Sequence, residues 1–178
     1  MRCVIAVMTL LLSALMMRAG QPVDVVNKTF FTWGAECGTG IDMSANDMSS
    51  VDFNASFGLR RNWLSFAGVG AGANVMVSGS YRSYPVFAVL RTDFSRLTRL
   101  LFMDVRGGVS INYLDNNQSQ TGAYASAALG VNLATGRTFR SYILAGYAYY
   151  ARKDIVIEEV VLPYEPLHTA FIRLGVAF

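Results

Sequence analysis

Residues Val51–Arg60, VDFNASFGLR, alternate without a break. Val51, Phe53, Ala55, Phe57 and Leu59 fall on one side, and Asp52, Asn54, Ser56, Gly58 and Arg60 on the other. Successive side chains of a strand point to opposite faces, so strict period two over this length is a strand signal and not a helix signal. The length suits a tilted membrane-crossing strand of about 9–11 residues.

The same period recurs along the chain. Phe30–Met43 sets Phe31, Trp33, Ala35, Cys37, Thr39 and Ile41 against Thr32, Gly34, Glu36, Gly38, Gly40 and Asp42. Trp63–Val77 sets Ala67, Val69, Ala71, Ala73 and Val75 against Gly68, Gly70, Gly72 and Asn74. Tyr84–Phe94, Leu101–Tyr113 and Gly122–Leu133 alternate as cleanly, with Phe87, Val89, Arg91 and Asp93, then Asp104, Arg106, Ser110 and Asn112, then Tyr124, Ser126, Gly130 and Asn132 on their second faces. Phe139–Arg152 is less regular, with Ile143, Ala145, Tyr147 and Tyr149 placed outside and Arg140, Gly146 and Arg152 inside. His168–Phe178 puts Ala170, Ile172, Leu174, Val176 and Phe178 on one face and Phe171, Arg173, Gly175 and Ala177 on the other. With Val51–Arg60 these segments predict eight strands.

The connections differ by end. Those after strands two, four and six read as tight (RRN, SRLTR, ATGRT); those after one, three, five and seven read as longer or more polar, ending with KDIVIEEVVLPYEPL. The expected fold is all-β, an eight-stranded antiparallel up-and-down barrel. Such a barrel exists in water with an apolar inside, or in a membrane with an apolar outside. Two features select the membrane form. The apolar faces hold many Ala and Val but few side chains bulky enough to fill a core, and the polar faces are glycine-rich. Glycine on a solvent face would only weaken a strand, whereas in a narrow lumen it makes room for large neighbours. Aromatics near strand ends (Phe31, Trp33, Tyr81, Tyr84, Phe94, Tyr113, Phe139, Tyr149, Phe178) resemble interfacial girdles. Composition agrees: mean hydropathy is +0.34 with 15% charged residues, yet residues 21–178 contain no apolar run long enough for a spanning helix.

Residues 1–20 read as a signal peptide, with Met1-Arg2 as the positive start, Cys3–Met17 as the apolar stretch, and cleavage after Ala19 or Gly20. An N-terminal anchor helix is the alternative. Residues 21–178 are then the barrel domain, whose single cysteine, Cys37, excludes an internal disulfide.

The polar faces place Glu36, Asp52, Arg91, Asp93, Asp104, Arg106 and Arg173 in the lumen. Eight strands leave an interior that side chains just fill, so these charges must pair. Arg91, Asp93, Asp104 and Arg106 lie on strands joined by a short turn and are expected to cluster. Glu36 and Arg173 are expected to meet where the first strand closes on the last. A plugged lumen is the expectation; a narrow pore for ions or small solutes is the alternative. At the ends, Arg60, Arg61, Arg96, Arg99, Arg137 and Arg140 mark the turns and suit lipid phosphates. Asp42, Asp47, Asp115, Asp154, Glu158, Glu159 and Glu165 mark the loops, where solvation or divalent cations between lipopolysaccharide molecules would occupy them.

The signal peptide, the eight alternating segments and the terminal FIRLGVAF resemble the small outer-membrane β-barrels of the OmpA- and OmpX-like superfamily. The glycine-rich strands and YPVFAVLRTDF look like the barrel domains of Bacteroidetes. The resemblance implies a bacterial outer-membrane location after export, with contacts to outer-membrane lipid and lipopolysaccharide. It also implies that Ile172, Leu174, Val176 and Phe178 form a signal read by the barrel-assembly machinery. No peptidoglycan-binding domain follows the barrel, so a wall-anchoring role does not carry over.

Some barrels of this size are lipid A deacylases, with Ser two residues after His on one strand. Here the one histidine, His168, is followed at that position by Ala170. A palmitoyltransferase-like rim site would need His168 near Ser80 or Asp154. A catalytic role therefore lacks its nucleophile. No metal-ligand spacing, cofactor loop or nucleic-acid motif appears; GVGAG (Gly68–Gly72) lacks the Lys and following helix of a phosphate loop. The expectation is a monomeric, non-enzymatic outer-membrane scaffold without a cofactor, whose extracellular loops meet a ligand the sequence does not name.

Overall fold

A computed structural model describes residues 29–43, 49–61, 64–77, 81–94, 100–113, 119–136, 139–151, 155–157, 160–162 and 166–178. The signal-peptide reading of residues 1–20 lies outside them. The strands are β1 (Phe30–Asp42), β2 (Ser49–Arg61), β3 (Leu64–Met76), β4 (Arg82–Asp93), β5 (Leu101–Tyr113), β6 (Ser119–Thr135), β7 (Arg140–Tyr150), β8 (Ile155–Ile157), β9 (Val160–Leu162) and β10 (Leu167–Ala177). Eight of them close an antiparallel barrel in the cyclic order β1-β10-β7-β6-β5-β4-β3-β2, each paired with the next of the eight along the chain and β10 closing on β1, and β8 pairs with β9 in a separate two-stranded sheet. The β8–β9 pair lies inside the segment expected as one long loop, because its two apolar runs of three residues, Ile155–Ile157 and Val160–Leu162, are too short to show an alternation.

The barrel is inverted relative to a soluble one. In β2, Ser50, Asp52, Asn54 and Ser56 are buried while Val51, Phe53, Ala55 and Phe57 are exposed. The same holds for Phe87, Val89 and Arg91 against Val86, Ala88 and Leu90 in β4, and for Asp104 and Arg106 against Met103 and Val105 in β5. Lipid is the solvent that suits such an exterior, since every backbone group of a closed barrel is already paired.

Aromatic clusters rim the outer wall at both ends. At the turn end Trp33 stacks on Phe178 at 4.8 Å between centroids, and Phe139 lies 5.3 Å from Phe178. At the loop end Tyr84 meets Tyr113 edge-on at 5.7 Å, and Tyr147, Tyr149 and His168 form a second group. Tyr81, expected in the girdle, is instead buried with the lumen residues. Asp42 and Arg140, expected both among the end charges and on the inward faces of their strands, are buried, as the inward phase requires. Arg60 is half-buried and Arg61 exposed, and the other expected end charges lie outside the described residues. The contrast between the two ends is weaker than the sequence suggests. The turn-end connection 94–100 is longer than the loop-end connection 77–81, and only 151–166 stands apart.

Glycine makes the lumen fit. A Cβ on Gly175 would run into the ring of Tyr142, and one on Gly130 into the ring of Phe102. These rings fill the turn-end half, edge-on to each other at 5.5 Å. A bulge between Leu64 and Phe66 breaks the alternation of β3 and turns Ser65 and Phe66 inward together.

Candidate functional site

The site built from the inward faces is a charge network across the middle of the lumen. Glu36 on β1 and Arg106 on β5 lie on diametrically opposed strands of the eight. Arg106 Nη2 donates to Glu36 Oε2 at 2.7 Å and Oε1 at 2.9 Å, so one ion pair spans the barrel. Arg106 Nε donates to Asp104 Oδ1 at 2.7 Å. Arg91 on β4 donates through Nε to Asp104 Oδ2 at 2.6 Å and through Nη2 to Glu36 Oε1. Tyr142 on β7 ties the group together, accepting from Arg91 Nη1 and donating to Glu36 Oε1, both at 2.8 Å. Two carboxylates and two guanidiniums thus share one network with no net charge. Aromatic faces cover the cations: Arg91 lies 5.2 Å from the Phe66 centroid and 4.7 Å from that of Tyr142, and Arg106 lies 5.0 Å from Phe87.

A second network lies nearer the loop end. Arg173 Nε donates to Asp52 Oδ2 at 3.0 Å, and its Nη2 is equally close. Asn74 Nδ2 donates to Asp52 Oδ1 at 2.6 Å and reaches Tyr150 Oη, on the opposed strand, at 3.4 Å. Arg173 also stacks on Phe171 at 3.7 Å. At the turn end, Arg140 on β7 donates to Ser65 on the opposed β3 and lies 3.5 Å from Asp93.

Two expected pairings are thereby corrected. Glu36 does not meet Arg173: their positions are offset along the β1–β10 seam, where Glu36 faces Gly175 and Arg173 faces Gly38. Glu36 turns across the lumen instead. Asp93 does not join Arg91, Asp104 and Arg106, because its inward position is one step closer to the turn end, where Arg140 supplies its counter-charge. Arg140 is the lumen cation missing from the expected set, though its inward phase was readable. Each of the four acids Glu36, Asp52, Asp93 and Asp104 has an arginine partner, and each of the four arginines has an acid.

On the outer wall, Ile172 and Leu174 are exposed, Val176 is half-buried, and Phe178 is exposed against Trp33. Phe178 exchanges both backbone hydrogen bonds with Trp33, at 2.8 and 3.1 Å, so pairing of first and last strands runs to the final residue. His168 is half-buried in the loop-end girdle, its Nδ1 hydrogen-bonded to the Tyr147 hydroxyl and its ring 5.4 Å from Tyr149. Thr169 is buried on the other face, and Ser80 and Asp154 lie outside the described residues. Among the described residues no group of three His, Cys, Asp or Glu is placed to hold a metal ion.

No protein-family model matches the chain, and no curated protein matches it. Among solved structures, Neisserial surface protein A superposes with a TM-score of 0.56 at 17% identity, covering 84% of this chain and 97% of that one. A de novo designed transmembrane β-barrel superposes with a TM-score of 0.51 at 13% identity, covering 83% and 93%. The fold is that of a small transmembrane β-barrel. At these identities the likeness carries the architecture alone.

Proposed function

We propose that this protein is an integral protein of a bacterial outer membrane, exported by a signal peptide in residues 1–20, whose barrel is a closed scaffold and whose loop end meets a ligand outside the cell. The observation that carries the reading is the Glu36–Arg106 pair spanning the lumen. Arg140–Ser65 and Asn74–Tyr150 join opposed strands above and below it. A path for ions would have to break a buried, charge-matched network, and removing one partner of such a pair costs about 3–5 kcal/mol. The OmpA- and OmpX-like resemblance supports the same reading, with lipopolysaccharide around the loop-end girdle. It also supports a role for Ile172, Leu174, Val176 and Phe178 as a signal to the barrel-assembly machinery.

In planar bilayers the purified protein should give no steady conductance, and trimming Asp154–Pro166 should abolish surface binding while leaving the barrel folded. Steady conductance that disappears on Arg91 or Arg106 substitution would establish a narrow pore instead.

A further inference from the structure

Four residues form one lateral row across the seam where the barrel closes. Arg173 on β10 faces Gly38 on β1, Gly38 faces Asp52 on β2, and Asp52 faces Asn74 on β3. Arg173 reaches over β1 to Asp52, and only a glycine lets it pass: a Cβ on Gly38 would collide with the Arg173 Cγ and Cα. We propose that the Arg173–Gly38–Asp52 row is a closure key that selects the register in which the last strand docks on the first.

The seam needs such a key. A one-residue slip would turn charges to the lipid, but a two-residue slip keeps every face, and glycine-rich strands specify register weakly. The inward face of β1 carries Gly34, Gly38 and Gly40, and the outward partners Ala35–Val176, Cys37–Leu174 and Thr39–Ile172 are nearly interchangeable against lipid. One two-residue slip even offers its own ion pair, since it would set Arg173 opposite Glu36. The native register excludes that competitor by charge balance. With Arg173 on Asp52, Glu36 is left for Arg91 and Arg106. With Arg173 on Glu36, Asp52 would lose its cation and three arginines would share two acids, and an uncompensated buried charge is costly.

Cys37 reports the register directly. In a Cys3→Ser background, Leu174→Cys places a thiol opposite Cys37 in the native register, and Ile172→Cys does so in the slipped one. Directly opposed strand residues lie within disulfide reach. In the folded protein under a mild oxidant, the 37–174 link should form at least about tenfold in excess of 37–172. Asp52→Asn should shift the ratio toward 37–172 by about tenfold, because Arg173 then finds its acid on Glu36. Adding Glu36→Gln should reverse that shift. Gly38→Ala keeps every charge but crowds Arg173, so it should shift the ratio as well; it decides the question if Asp52→Asn yields no folded barrel. An unchanged ratio in the folded variants would overturn the proposal.

Discussion

Glu36 on the first strand and Arg106 on the fifth meet at 2.7 Å across the full width of the barrel. The pair depends on every register between the two strands, so it reports the closed structure as a whole. Glu36→Gln leaves Arg91 and Arg106 to share Asp104. It should cost about 3–5 kcal/mol, read as a lower denaturant midpoint in detergent or lipid. Glu36→Leu with Arg106→Met leaves Arg91 paired with Asp104 and the network neutral. The double variant should therefore be less destabilised than either single one, with a coupling of about 2 kcal/mol or more in the cycle.

Gly175 lies under the ring of Tyr142. Gly175→Leu should displace that ring and its bonds to Arg91 and Glu36. Overpacking of this kind costs about 1–3 kcal/mol, so the folded, faster-migrating gel band should weaken. Gly107 faces outward with nothing near it. Gly107→Ala should leave the band unchanged.

The sequence made the strands and their faces legible because lipid and lumen demand opposite polarity at every step. Val51–Arg60 shows it at full strength. The partners within the lumen were less legible. They depend on offsets between strands, and sequence spacing alone does not say that Arg173 faces Gly38 and not Glu36. Ser65 and Phe66 were hidden by a bulge, which breaks the period that sequence reading relies on. Arg140 has an inward phase and also lies among the turn-end charges; burial decides for the first.

The terminal stack makes its own demand. Phe178→Ala removes the ring contacts to Trp33 and Phe139 but keeps the backbone pair. Stability should fall by about 0.5–1.5 kcal/mol, with a change in Trp33 fluorescence. Assembly in cells should fall by far more than that stability loss explains, because the proposed assembly signal is lost with the ring.

His168 sits between two tyrosines of the girdle with no nucleophile two residues along. His168→Ala should leave the lipid A profile of a producing strain unchanged, as read by mass spectrometry. It should shift only the tyrosine environment at the loop end.

Cys37 tests the inverted arrangement most directly, because it lies mid-strand on the exposed face of β1. With Cys3 replaced by Ser, a nitroxide label on Cys37 in reconstituted bilayers should collide more often with oxygen, which concentrates in lipid, than with a water-soluble nickel complex. Collisions dominated by the nickel complex would put that face in water and contradict the account.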